Sequence, residues 1–109
     1  MVSIKNFREL ALSLPETEER PHFEKTSFRV RNKIFATLSE ETYLAVVKLS
    51  DIDQSVFCSF DKTIIYPVDN KWGKQGWTVI DLKKVRKDML KDALTTAYKE
   101  GLNKRNSTR

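Results

Sequence analysis

The chain has few of the residues from which disulfides, zinc sites and membrane spans are built. Its 109 residues include one cysteine, Cys58, and one histidine, His22. A lone thiol cannot form an internal disulfide bond. One cysteine and one histidine are also too few for the zinc sites that are built from four such ligands. No apolar run approaches the roughly 20 residues needed to cross a bilayer. We therefore expect a reduced, cytoplasmic protein without a membrane segment, a metal or a cofactor.

Residues for catalysis are equally scarce. The chain has three glycines, and "GKQG" at residues 73–76 matches neither the P-loop nor the dinucleotide-binding pattern. Nucleophilic catalysis needs a base beside the nucleophile, and only a chance of folding would bring Cys58 to His22. We interpret Cys58 as a buried structural thiol, His22 as a loop anchor and the acidic stretch "ETEE" at residues 16–19 as a solvated loop. The sequence predicts a protein that is not an enzyme.

Positive charge is concentrated in the second part of the chain. Residues 1–60 hold 8 Lys/Arg and 9 Asp/Glu, whereas residues 61–109 hold 12 and 6, which gives the second part a net charge of +6. Clustered lysines and arginines attract polyanions because they release counterions from phosphate backbones. The alternative is that lysine-rich helices are solvated surfaces that keep a domain in solution.

The first part of the chain predicts one helix followed by three strands. Ser3 is placed to cap a helix that Pro15 ends, and residues 15–26 are polar enough for a loop. The period then changes to two in "SFRVR" and "IFATL", which predicts a hairpin turning at Asn32-Lys33, with Arg31 opposite Ile34. A third strand, "YLAVVKL", follows at residues 43–49.

The second part continues with a helix, two strands and a long terminal helix. In "SDIDQSVFCSF", Ser50 has the position of a cap and Ile52, Val56 and Phe60 recur at helical spacing. "TIIYP" and "WTVIDL" predict strands. The last helix has two possible starts, Asp81 or Asp88, and an expected C-cap at residue 101.

These elements predict a single domain over residues 1–102 and a polar, frayed tail at residues 103–109. The order α-βββ-α-ββ-α indicates an α+β fold in which helices pack on one face of an antiparallel sheet. Nothing in the sequence requires a second subunit, so we expect a monomer.

The stretch "NKWGKQGWTVIDL" at residues 70–82 contains both tryptophans. Gly73 and Gly76 indicate a tightly bent connection into a strand, and alternation predicts that Trp77 points into the core. Trp72 has two interpretations: it covers the edge of the core, or it stands exposed between lysines and stacks on a base. The sequence-derived candidates for nucleic-acid binding are Arg29, Arg31, Lys33, Lys71, Trp72 and Lys74.

The chain resembles the MmcQ/YjbR family from residue 12 to residue 98. The likeness rests on "LSLPETEERPHFEKTSFRVRNKIFATL", the strand "VVKLS", the dipeptide "YP" and "WGKQGWTVIDL" before an amphipathic helix. The resemblance implies a CyaY-like (frataxin-like) α+β fold, also described as a double-wing arrangement, and a DNA-binding protein.

Two functions remain open from the sequence. The first is a nucleic-acid-binding module with little sequence specificity, whose partner would be DNA. The basic second half of the chain and the family resemblance favour this function. The second is a small ligand-binding or protein-interaction domain, which the aromatic residues clustered in a loop favour.

Overall fold

The computed structural model of the chain describes residues 1–107, with side chains for residues 1–102. The expected frayed tail at residues 103–109 thus lies outside the described side chains. The described elements follow in the order α1 (Ile4–Leu12), β1 (Thr17–His22), β2 (Lys25–Val30), β3 (Lys33–Ser39), β4 (Leu44–Lys48), α2 (Asp51–Cys58), β5 (Ile65–Pro67), α3 (Lys71–Lys74), β6 (Trp77–Asp81) and α4 (Lys87–Ser107).

The strands form one antiparallel sheet in the order β1-β2-β3-β4-β6-β5. Helices α1 and α4 cover one face, where Phe7 packs edge-on against Phe28 and Tyr98 against Phe35. Alternate strand residues on that face are buried, including Val30, Val47 and Ile80. The predicted α+β class, an antiparallel sheet with helices on one face, is confirmed.

The two predicted N-terminal helix caps, Ser3 and Ser50, are both present. The Ser3 hydroxyl accepts a hydrogen bond from the backbone N–H of Asn6 (3.0 Å), and the Ser50 hydroxyl accepts one from Asp53 (3.1 Å). Each bond satisfies one of the donors that a helix leaves unpaired at its N-terminus. Local side-chain chemistry therefore fixes where α1 and α2 begin.

The predicted loop at residues 15–26 is wrong, because Thr17–His22 forms β1 along the edge of the sheet. The predicted hairpin register is also wrong. The turn lies at Arg31-Asn32, both at positive φ (53° and 66°), and Val30 pairs with Lys33. Two successive positive φ angles suit the right-handed twist of a two-residue hairpin.

The apolar residues that recur at helical spacing in and after α2 face the solvent rather than the core. Ile52, Val56 and Phe60 are 77%, 52% and 62% exposed, whereas Phe57 is buried. The side-chain amide of Gln54 donates to the carbonyl of Gly73 (2.9 Å), which anchors the helix by a polar side chain. The stripe at helical spacing therefore does not face the core.

The last helix begins after a separate turn. Val85 N–H donates to the carbonyl of Asp81 (3.0 Å), and α4 then starts at Lys87, next to the second of the two expected positions. The expected C-cap at Gly101 is wrong, since α4 continues to Ser107. Among the described residues, no helix is long and apolar enough to cross a membrane.

Candidate nucleic-acid interface

The sheet has a second face, which α1 and α4 do not cover, and we call it the open face. Strand pairing brings Thr37 opposite Val46 and Val46 opposite Val79 across its middle. These side chains are half-buried, in contrast to their fully buried neighbours on the helix-covered face. The open face therefore presents apolar surface at the centre of the sheet.

Trp77 lies on the open face, so the prediction that it points into the core is wrong. Its neighbours Thr78 and Ile80 are buried instead, and Trp77 pairs with Lys48 on β4. Thr78 is tolerated in the core because its hydroxyl donates to the carbonyl of Gly76 (3.0 Å) and accepts from Gln54 (3.1 Å). A buried hydroxyl with both partners carries little penalty.

Trp72 projects from the short helix α3 and is 49% exposed. Its backbone N–H donates to Asn70 Oδ1 (2.8 Å), and the Lys71 ammonium lies 5.8 Å from the centre of its ring. A cation at that distance over an indole is held by the ring's negative face. Trp72 is thus not sealed beneath the protein surface, and a positive charge stands beside it.

Two glycines set the position of α3 and of the entry to β6. A Cβ on Gly73 would lie 2.1 Å from the carbonyl oxygen of Val68, and one on Gly76 would lie 1.9 Å from that of Leu49. Gly76 also has a φ of 103°, which side chains other than hydrogen rarely allow. The predicted bent connection is confirmed, and it places both tryptophans on one side of the sheet.

The two tryptophans line one shallow groove on the open face, which we call the tryptophan groove. Its volume is about 360 Å³, and its floor includes Ile34, Thr37 and Val46. His22 and Lys25, which flank the turn of the β1–β2 hairpin, also line it. The groove therefore combines apolar floor, aromatic rings and a cation in one place.

A second groove adjoins the first at Ile34 and Trp77 and extends round the sheet to α4, where Ala97 and Gly101 line it. Together the two grooves are lined by cationic side chains, namely Lys25, Arg29, Lys33 and Lys48. Glu100 is the one carboxylate that lines either groove within the described part of the chain. Cations thus outnumber carboxylates among the residues that line the two grooves.

Arg29 is held in place by the strand that carries it. Its Nε donates to the hydroxyl of Ser27 (3.1 Å), two residues earlier on the open face, and Ser27 in turn donates to the carbonyl of Arg20 (3.1 Å). Ser27 is fully buried beneath these side chains. This hydrogen bond anchors the guanidinium of Arg29, which lines the second groove.

The structure brings some of the sequence-derived candidates together and separates others. Arg29, Lys33 and Trp72 line the adjoining grooves, and Lys71 contacts the Trp72 ring. Arg31 lies in the hairpin turn with its Nε 3.8 Å from the Glu16 carboxylate. Lys74 lines a different depression, which Lys71 and Gln54 also line.

Sequence reasoning missed several residues of the grooves. Lys48 and Trp77 come together only through the pairing of β4 with β6. His22 and Lys25 reach the groove because β1 is a strand rather than a loop. "TEERPH" has no alternation of apolar and polar residues, so no sequence signal indicated β1. The period of two in the burial of its first four residues is visible only in the structure.

His22 and Cys58 are not brought together by the sheet. His22 ends β1, which lies at one edge, whereas Cys58 ends α2, which packs near β5 at the opposite edge. Burial raises the pKa of the Cys58 thiol, and the charge of Lys62 offsets this only in part. Within residues 1–102, no three His, Cys, Asp or Glu side chains are grouped so that they could hold a metal ion.

Comparison with solved structures finds a similar fold. The Deinococcus radiodurans protein DR2400, whose crystal structure contains the domain DUF419, superposes with a TM-score of 0.78 at 19% sequence identity. The match covers 90% of this chain and 77% of that one. No curated protein matches the sequence. The YjbR family model matches residues 12–100, which is most of the chain, and the protein therefore belongs to the YjbR family.

Proposed function

We propose that the protein binds nucleic acid through the open face of its sheet, with little sequence specificity. The observation that carries the proposal is that the exposed Trp72 and the half-buried Trp77 line one groove. Among the described residues, four cations and one carboxylate line this groove and the one that adjoins it. Lysines and arginines around a groove attract a phosphate backbone, and aromatic rings within it accept bases. Both requirements meet at one surface.

The chemistry of the cations that line the two grooves supports low sequence specificity. Sequence readout needs side chains held against base edges in the grooves of nucleic acid. The groove-lining cations are lysines apart from Arg29, and a lysine ammonium acts as a point charge rather than a two-pronged hydrogen-bond donor. Binding of this kind is governed by charge and therefore falls steeply as salt rises.

The test compares two arginines by fluorescence anisotropy with labelled DNA at low salt. Arg29→Gln removes a groove cation, and we expect weaker binding to every DNA sequence and a salt dependence reduced by about one counterion. Arg86→Gln makes the same chemical change beside Phe60 and Met89, outside both grooves, and should bind like the unmodified protein. No binding at low salt, or equal losses in the two variants, would reject the proposal.

A second candidate function, capture of a small ligand, is favoured by the volume of the tryptophan groove. About 360 Å³ falls within the range of small-molecule sites, roughly 300–1,000 Å³. A mononucleotide that bound as tightly as an oligonucleotide would favour this function, because a chain of phosphates would then add nothing. We expect the oligonucleotide to bind far more tightly.

A further inference from the structure

We propose that the nucleic acid taken by the open face is single-stranded, with unpaired bases stacked on Trp72 and Trp77. This inference rests on the proposed function and specifies its ligand. The shared chemistry is an unpaired base on a phosphodiester backbone, which either single-stranded DNA or RNA provides.

The first argument is the placement of the two indole rings. Trp72 is 49% exposed and Trp77 half-buried, and both line the tryptophan groove. A base in a duplex has both of its faces covered by neighbouring bases, whereas an unpaired base offers a face to an aromatic ring. Two accessible indoles in one groove are therefore matched to unpaired bases and have no partner on an intact duplex.

The second argument is the shape of the surface. The major groove of a duplex admits an α-helix or a two-stranded ribbon. Helix α3, which carries Trp72, spans four residues, and the tip of the β1–β2 hairpin carries Phe23 and Glu24, an apolar ring and a carboxylate. Neither side chain at that tip is suited to the phosphates that flank a duplex groove. The apolar floor of the open face, by contrast, suits bases lying flat on the sheet.

The third argument is a further aromatic side chain, Phe23, at the tip of the β1–β2 hairpin. Phe23 is 94% exposed, and its ring meets that of His22 at 5.0 Å in an edge-to-face contact. His22 in turn lines the tryptophan groove. An almost fully exposed phenylalanine at that end of the groove extends the aromatic surface along which further bases can stack.

The cations are placed where a backbone would follow such bases. Lys71 lies against the Trp72 ring, Lys25 lines the same groove near His22, and Arg29 lines the groove that adjoins it at Trp77. A cation therefore contacts Trp72, and another lines a groove together with Trp77. A strand laid along the groove would have its bases on the rings and its phosphates near these side chains.

The experiment measures anisotropy with four ligands of about twelve nucleotides: oligo-dT, oligo-rU, a DNA duplex and an RNA duplex. We expect each single strand to bind at least tenfold more tightly than its duplex. Tighter binding of oligo-dT assigns the ligand to DNA, and tighter binding of oligo-rU assigns it to RNA; both support the inference. Duplex binding as tight as or tighter than single-strand binding overturns it.

Aromatic variants give the second measurement. Trp72→Ala should weaken single-strand binding by about five- to 150-fold, the range for one lost base stack, and change duplex binding less than twofold. Phe23→Ser should also weaken single-strand binding. Phe60→Ser, at another exposed phenylalanine that follows α2 and lines neither groove, should not. Equal losses on single strand and duplex overturn the inference and leave nucleic-acid binding standing. No binding of any ligand at low salt rejects the proposed function itself.

Discussion

Replacing Gly76 with alanine tests how the chain places its two tryptophans. The new Cβ would lie 1.9 Å from the carbonyl oxygen of Leu49, in backbone that cannot rotate away, and the residue would keep a φ near 103°. Backbone strain costs about 1–3 kcal/mol, and forcing an extra carbon into a packed site costs about 1–3 kcal/mol. We therefore expect Gly76→Ala to lower the free energy of unfolding by about 2–6 kcal/mol.

Thermal unfolding followed by circular dichroism measures the effect. In a domain of this size 1 kcal/mol moves Tm by about 4–8 °C, so we expect Tm to fall by at least about 8 °C. Gly101→Ala, inside helix α4, is the matched control, because its Cβ would meet side-chain carbons rather than backbone: Val30 Cγ1 at 3.1 Å and Phe35 Cβ at 3.8 Å. Alanine is more favourable than glycine inside a helix by about 1 kcal/mol, which offsets the close contact. This variant should therefore melt within a few degrees of the unmodified protein. A Gly76→Ala protein that melts as the control does would refute the reasoning.

Two further predictions concern side-chain hydrogen bonds. Gln54→Ala removes hydrogen bonds to Gly73 and Thr78 and should lower the free energy of unfolding, measured by urea denaturation, by about 1–3 kcal/mol. Ser55→Ala, at the exposed neighbouring position, is the control and should change that free energy by no more than about 0.5 kcal/mol. Equal losses in the two variants would contradict the anchoring role of Gln54. Hydrogen bonds from Thr63 lower the pKa of Asp61 below 3.8, so its contribution to stability is present above that pH and lost as pH falls through the lowered pKa. Asp61→Asn and the unmodified protein should therefore converge in Tm on acidification, and a gap independent of pH would contradict this.

Local signals predicted the parts of the fold that local chemistry decides. Ser3 and Ser50 cap helices where their hydroxyls are placed to do so, and the alternation of β3 and β4 is visible in the sequence. The edge strand β1 was missed because its side chains are polar on both faces, and its stability comes from pairing with β2. The hairpin register was missed by one residue because Arg31 and Asn32 adopt positive φ without a glycine to signal it.

In the candidate site, too, the sequence predicted local contacts and missed those between distant segments. Cations close in sequence to a tryptophan, such as Lys71, were found from the sequence, because neighbours along a short helix stay neighbours in space. Trp77 was assigned to the wrong face because an indole is more apolar than the hydroxyl of Thr78. The side chain of Gln54, which comes from another helix, satisfies that hydroxyl and makes its burial possible. Long-range partners of this kind cannot be identified from one sequence.

The most direct measurement uses the fact that the chain has two tryptophans, Trp72 and Trp77, both in the tryptophan groove. Their indole N–H groups give two signals in a proton–nitrogen NMR spectrum, and oligo-dT or oligo-rU is titrated against them at low salt. We predict that both indole signals shift with the strand that binds more tightly, and that added salt returns them to their starting positions. Indole signals that stay in place while signals from α1 or α2 move, or a spectrum that does not change with either oligonucleotide, would contradict the assignment of the open face as the binding surface.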